Sequence, residues 1–209
     1  MKRYTLPHID WPRLALPDLV LIAVYATFVH INRPLAMHGD LAVLFLVLQE
    51  ACVIGLALTR RRATATCPWD SPPAMLGWCG TLAPLFVRPA ELAPPPWPIV
   101  GGVVQIIGQA LALSATLALG RSFGIVAANR GVQTGGLYRI IRHPLYAAYL
   151  LAFGGFVLAH PSRANSILLF IWLGIQVARI HAEERLLDAD ASYRAYAARV
   201  RFRLLPGIW

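Results

Sequence analysis

The chain has 209 residues, of which 57% are hydrophobic and 14% charged, and its mean hydropathy is +0.57. Soluble domains average roughly 45 to 50% apolar and about 25% charged residues, so this composition excludes an ordinary water-soluble globule and points to a membrane protein. Nineteen Lys and Arg against ten Asp and Glu give a formal net charge of +9, which in this class points to the anionic cytoplasmic lipid surface, with nucleic acid the weaker reading.

The first twenty residues, MKRYTLPHIDWPRLALPDLV, place acidic and Pro residues ahead of the first apolar run and show no small-residue cleavage site. No cleaved signal peptide is expected. Apolar runs then follow at 14–31, 41–59, 74–87, 98–119, 145–159 and 164–178. A helical span takes roughly 20 residues, and several runs are shorter, so the expected count is six spans, or five if one run is re-entrant. The basic residues arbitrate. Lys and Arg before, between and after the six runs number 3, 1, 3, 1, 4, 1 and 6, the alternation that the positive-inside rule expects of six spans with both termini cytoplasmic. Gly101-Gly102 and Gly154-Gly155 permit close helix approach, whether within the chain or between copies, and leave the oligomeric state open.

Two connections, 67–73 and 88–98, are rich in Pro and read as rigid turns outside the hydrocarbon. The 120–142 loop, with glycines Gly124, Gly131, Gly135 and Gly136 after Gly120 and several charges, is too polar to cross a membrane. After the last run, residues 180–205 carry Leu186, Leu187, Tyr193, Tyr196, Val200 and Leu204 at roughly helical spacing among charges. They predict an amphipathic helix at the cytoplasmic interface. Cys52, Cys67 and Cys79 form no CxxC and no even set, so neither a disulfide framework nor a zinc site is expected. The two acids with His143 and His181 could suggest a metal, but His181, Glu183 and Glu184 do not share a ligand face with each other in the usual i, i+4 way, and no metal centre is expected. The expected fold is an all-α integral membrane protein of about six transmembrane helices with a cytoplasmic amphipathic C-terminal helix. Its expected division is residues 1–118 as N-terminal spans and 119–209 as the functional core.

The polar groups fall in two segments that this topology puts on one side. The first ends in Arg142-His143-Pro144-Leu145-Tyr146. Pro144 suits the first position of a helix, where its missing N–H is no loss, so Arg142 and His143 lie beside backbone donors that favour a carboxylate. A snorkelling Arg and an interfacial His would account for the same residues. The second segment holds Arg179, Glu183 and Glu184. Arg179 and Glu183 are four apart, the spacing of a surface ion pair worth a few tenths of a kcal/mol. Adjacent acids beside an anionic leaflet instead favour a cationic ligand or an Arg partner. Tyr193, Tyr196 and Arg199 are expected to share one helix face, and an interfacial aromatic belt accounts for them equally.

Together, LGRSFGIVAANRGVQTGGLYRIIRHPLYAAYLL and, after a hydrophobic hairpin, RIHAEERLLDADASYRAYAARVRFRLLPGIW resemble the isoprenylcysteine carboxyl methyltransferase family and its bacterial phospholipid methyltransferase-like relatives. The likeness covers about 119–209. The resemblance implies an S-adenosylmethionine-dependent membrane methyltransferase whose last two spans and C-terminal helix enclose the cofactor. It also implies a lipid-facing opening for a lipophilic or prenylated acceptor. It assigns cofactor contact to Tyr138, Arg142, His143, Tyr146, Glu183, Glu184 and Tyr196, and catalytic roles to Arg199, Glu184 and His143. Arg199 is expected to hold the carboxylate of acceptor or cofactor, and His143 or Glu184 to serve as base if the acceptor is an amine or hydroxyl. Asp188-Ala189-Asp190-Ala191 stands where relatives commonly carry a Gly, and Gly136-Leu137-Tyr138 where they often carry Gly-Pro-Tyr. Methylation of a phospholipid amine or small thiol, a nicotinamide-dependent membrane reductase and a non-enzymatic membrane protein are the alternatives.

Overall fold

The computed structural model describes residues 16–37, 41–88 and 93–209. The basic residues Lys2, Arg3 and Arg13 and the start of the first expected span lie outside them, as does Glu91. The described chain is mostly helical: α1 (Leu16–Met37), α2 (Leu41–Thr59), α3 (Pro72–Leu82), α4 (Trp97–Leu119), α5 (Pro144–Ala159), α6 (Arg163–Leu187) and α7 (Ala191–Arg199). Two strands of two residues each, β1 (Ala65–Thr66) and β2 (Ala128–Asn129), pair antiparallel with Ala65 opposite Asn129, a small departure from the all-α expectation.

Two helical stretches, Trp97–Ser122 and Arg163–Leu187, are long and apolar enough to cross a bilayer. Three further apolar stretches, Leu19–Ile31, Leu44–Thr59 and Pro144–Ala159, are shorter. The expected third span is not one continuous helix. Its α3 has 11 residues, about 17 Å at 1.5 Å per residue against a hydrocarbon core of about 30 Å. It gives way to a 3-10 turn, Ala83–Phe86, because Pro84 has no N–H with which to continue the α-helical ladder.

Helices α4 and α5 pack against each other through glycines. A Cβ at Gly101 would lie 2.6 Å from the Gly155 carbonyl oxygen, one at Gly155 would lie 2.5 Å from the Gln105 nitrogen, and one at Gly108 would collide with the backbone of Ala152. Gly102 and Gly154 meet nothing within 4 Å. One glycine of each predicted pair therefore serves this intramolecular crossing. Between α2, α4 and α5 the buried Gln49 Nε2 donates to Thr116 Oγ1 at 2.7 Å and Tyr149 Oη at 3.1 Å, as expected where hydrocarbon offers no water to polar groups.

The predicted helix at 180–205 is divided. Its first part continues α6 to Leu187, and α7 begins anew at Ala191. Asp190 makes the break, because its Oδ1 accepts the Ser192 N–H at 2.8 Å as an N-cap and so favours a new helix start over continuation. Its Oδ2 accepts from Asn129 Nδ2 at 2.7 Å, which ties α7 to β2. These bonds hold the Asp190 carboxyl down to about 2, the Ser192 hydroxyl contributing most and Asn129 next. Chain reversal near β2 uses Gly131, at φ +95°, with its N–H on Asn129 Oδ1 at 3.0 Å.

Candidate functional site

The 120–143 loop folds back over the ends of the helices and encloses a polar cavity. The 61–67 segment pairs with it: Arg61 N–H donates to Arg121 at 2.7 Å, Thr64 to Asn129 at 2.8 Å and Cys67 to Ala127 at 3.2 Å. The basic cluster Arg60–Arg62 is thereby held at the same end of the bundle as Arg121. Below the loop, α3 presents Gly77 and Gly80 in place of side chains. A Cβ on Gly77 would lie 2.7 Å from the Ile125 carbonyl oxygen, and one on Gly80 would lie 2.9 Å from Cδ of Arg179. The glycines thus let the loop and α6 approach α3, and Trp172 Nε1 donates to the Gly80 carbonyl at 2.8 Å across that contact.

Of the predicted residues, Tyr138, Arg142, His143, Tyr146, Glu183 and Tyr196 all line this one cavity. Helix α5 begins at Pro144 as expected, which sets His143 just ahead of its first turn and Tyr146 within it. The His143 and Tyr146 rings stack with centroids 5.6 Å apart and planes 19° apart. The Tyr146 hydroxyl donates to Glu183 Oε2 at 2.8 Å. From α7, Tyr193 and Tyr196 pack with Tyr138 and Val200, and the Tyr196 hydroxyl donates to the Tyr138 carbonyl at 2.7 Å. Burial pushes the Tyr196 phenol up to about 12 and raises those of Tyr138 and Tyr193 as well, so all three stay protonated donors at neutral pH.

Glu184 is drawn to a different task. Its Oε1 meets Arg142 Nη1 at 3.1 Å and His143 Nε2 at 3.2 Å, and its Oε2 accepts from Arg203 Nε at 2.8 Å. The N–H groups of Arg142 and His143 donate to the Phe202 and Arg203 carbonyls, both at 2.9 Å. Two features of the sequence reading change accordingly. The N–H groups of Arg142 and His143 themselves are taken by the C-terminal tail, and both side chains share the carboxylate of Glu184 instead of leaving it to a ligand. Glu184 does not itself line the cavity.

Arg199 is not brought to the cavity. It is exposed at the end of α7, because each helical step of three residues turns 300°. The stripe therefore drifts about 60° from Tyr193 to Tyr196 and as much again to Arg199. The predicted Arg179–Glu183 surface pair is absent too: Arg179 is 8% exposed, directs Nη1 to Gln176 Oε1 and Nη2 to the Ile125 carbonyl, both at 3.1 Å, and lines the cavity. It is the residue the sequence reading undervalued. An Arg inside the last apolar helix was itself the signal, since an ionisable group there is costly unless it pairs or binds something. Arg203, Asn129 and the 124–128 stretch were missed because no local pattern marks them.

On the other side of the 123–126 segment lies a second, more apolar cavity, lined by Leu21, Ala57, Trp69, Trp78 and Phe123. The two share Gly124, Ile125, Val126 and Arg130 as a common wall.

No curated protein is significantly similar to the chain in sequence. Residues 97–192 match the sequence model of a family described as phospholipid methyltransferase. The matched segment runs from the start of α4 through the loop, α5 and α6 and ends just before Tyr193. Over this segment the chain is similar to the phospholipid methyltransferase family, a family of membrane methyltransferases.

Proposed function

We propose that the protein is an integral-membrane methyltransferase that uses S-adenosylmethionine to methylate a lipophilic acceptor, most like carboxyl O-methylation of a prenylated cysteine. The observation that carries the reading is the polar cavity of Glu183, Arg179 and three buried tyrosines, separated by a single stretch of chain from an apolar one. The donor set fits the cofactor. Glu183 can hold an ammonium, Arg179 a carboxylate, and the Tyr138, Tyr193 and Tyr196 rings a heterocycle. When bound, S-adenosylmethionine would supply an electrophilic methyl group on a sulfonium. The protein's part is to exclude water and fix the reacting groups in line, which the tail supports by tying itself to Arg142 and His143.

The apolar cavity suits the chain of an acceptor entering from the bilayer, with membrane lipids as surroundings and no role for nucleic acid. The acceptor is already anionic, a carboxylate or thiolate, in this reading. A carboxylate or thiolate needs no general base, and of the cavity's candidate bases His143 holds its Nε2 on Glu184 while Glu183 accepts from Tyr146 at Oε2. The site and both termini face the cytoplasm in this reading. Its support is the gathering of Arg60–Arg62, Arg121, Arg142 and Arg203 at one end of the bundle.

Calorimetric binding of S-adenosylhomocysteine to the detergent-purified chain tests the reading, with Glu183→Gln as the control. Micromolar binding weakened in the variant supports it and calls for a screen of prenylated carboxylates, thiols and phospholipid amines. A folded protein that binds neither S-adenosylmethionine nor S-adenosylhomocysteine would overturn it.

A further inference from the structure

The apolar cavity beyond the 123–126 segment has a volume of about 320 Å³. An apolar cavity of roughly 150 Å³ holds one benzene ring, so this one has room for about a dozen carbon atoms. At the wall shared with the polar cavity stand Gly124, Ile125, Val126 and Arg130. Between α1 and α2 the lining comes instead from Leu21 and Ala57, both buried.

The cavity is closed where it runs down between those two helices. Leu21 lies near the start of α1 and Ala57 near the end of α2, so Tyr25 and Val53 follow one turn further into the bundle, on the same helix faces. Both are buried, Val53 at 1% exposure, and they pack in one cluster with Leu21, Phe123 and Ile125 of the cavity lining. Behind Val53 the next turn of α2 is polar. Gln49 is bonded to Thr116 and Tyr149, and Glu50 has a carboxylate oxygen that is buried with no hydrogen-bond partner among the described residues. Tyr25 and Val53 therefore stop a hydrocarbon chain sterically, and the acid and amide behind them make a deeper apolar path costly.

We propose that Ala57, Val53 and Tyr25 form a ruler that limits the acceptor's hydrocarbon chain to about ten to twelve carbons, two isoprene units rather than three or four. The inference rests on the apolar cavity holding that chain, and it narrows the acceptor class to medium-length lipids. Seated with its polar end at the shared wall, such a chain brings its reactive group beside the polar cavity and its last carbons against Val53.

The test uses N-acetyl-S-alkylcysteines with chains of 8, 10, 12, 14 and 16 carbons, each displacing a radiolabelled 10-carbon probe from the detergent-purified full chain. The same series is run on Ala57→Leu and Val53→Ala. Ratios between chain lengths are compared across variants in one detergent, so the micelle's own preference for long chains cancels. A 12-carbon probe with a terminal diazirine reports where the chain ends, by peptide mass spectrometry of the wild type.

The diazirine is expected to label Tyr25 or Val53. Ala57→Leu fills part of the cavity and weakens the 12-carbon probe roughly 10- to 100-fold against the 8-carbon one. Val53→Ala removes two methyl groups from the floor and moves the favoured length up by about two carbons. Thermal unfolding in the same detergent shows which variants fold, and the wild-type labelling decides the matter if neither does. Unchanged ratios in the folded variants overturn the ruler, as does labelling confined to exposed residues such as Ile99 and Phe170, or a wild-type chain from which no probe is displaced. Titration with S-adenosylhomocysteine separates the two readings. Its binding without a length shift removes the ruler and leaves the methyltransferase, whereas a length shift without it keeps the ruler and removes the methyltransferase.

Discussion

Glu183 and Glu184 are neighbours on α6 whose carboxylates serve different parts of the protein. Glu183 accepts from the Tyr146 hydroxyl inside the cavity at 2.8 Å, while Glu184 binds Arg142, His143 and Arg203 and fastens the C-terminal tail to the start of α5. Successive helical residues point about 100° apart, so one acid can be offered to a ligand and the next to the fold.

The two acids should separate in measurement. Glu184→Ala leaves two guanidinium groups without their common anion, and roughly 3 kcal/mol of stability is expected to be lost, read as a lowered Tm in detergent. Glu183→Gln keeps an acceptor for Tyr146, so its Tm should stay within about 1 kcal/mol equivalent of wild type while S-adenosylhomocysteine binding weakens. Equal Tm losses in both variants would contradict this division.

Arg199 is exposed and outside the cavity. Arg199→Ala should keep stability within about 0.5 kcal/mol and keep cofactor affinity. An Arg199→Ala chain that folds but binds no S-adenosylhomocysteine would show that α7 turns to present this residue to the cavity.

The crossing of α4 and α5 tolerates no side chain at Gly101, Gly108 or Gly155. Gly108→Val is expected to cost roughly 1 to 3 kcal/mol through overpacking. Gly102→Ala and Gly154→Ala meet open space and should be neutral or stabilising by up to about 1 kcal/mol through helix propensity. Thermal unfolding of the three variants under one detergent condition checks the order.

The Asp190 carboxyl is held at about 2, below its usual 3.8, by Ser192 and Asn129. Its lowered value in the folded state means that the stabilisation is complete above pH 3.8 and is lost as pH falls from there through about 2. Hydrogen exchange at 191–199 should therefore quicken across that window beyond its intrinsic pH dependence. Asp190→Asn should abolish the extra component.

Where the sequence signal was local, it was legible. Pro144 starts α5 because a missing N–H at a helix start is without consequence, and residues from the two polar segments line one cavity. The tail helix was mis-drawn at Asp190, since an N-cap inside an amphipathic stripe leaves the apolar spacing almost unchanged. Arg179 was read as half of a surface pair because i, i+4 spacing carries no information about which neighbour the side chain will meet.

From the sequence alone come the membrane class, the helical runs, the positions of the polar segments and the family resemblance. All rest on composition, periodicity and short motifs, which the backbone expresses locally. Only the tertiary structure decided that Glu184 anchors the tail, that Arg199 is exposed, that Gly101 and Gly155 serve an internal crossing and that Arg179 reaches the cavity beneath Gly80. Each of those depends on distances between segments far apart in the chain, and hydrophobic periodicity, which says only how each helix divides its own surface, does not contain them.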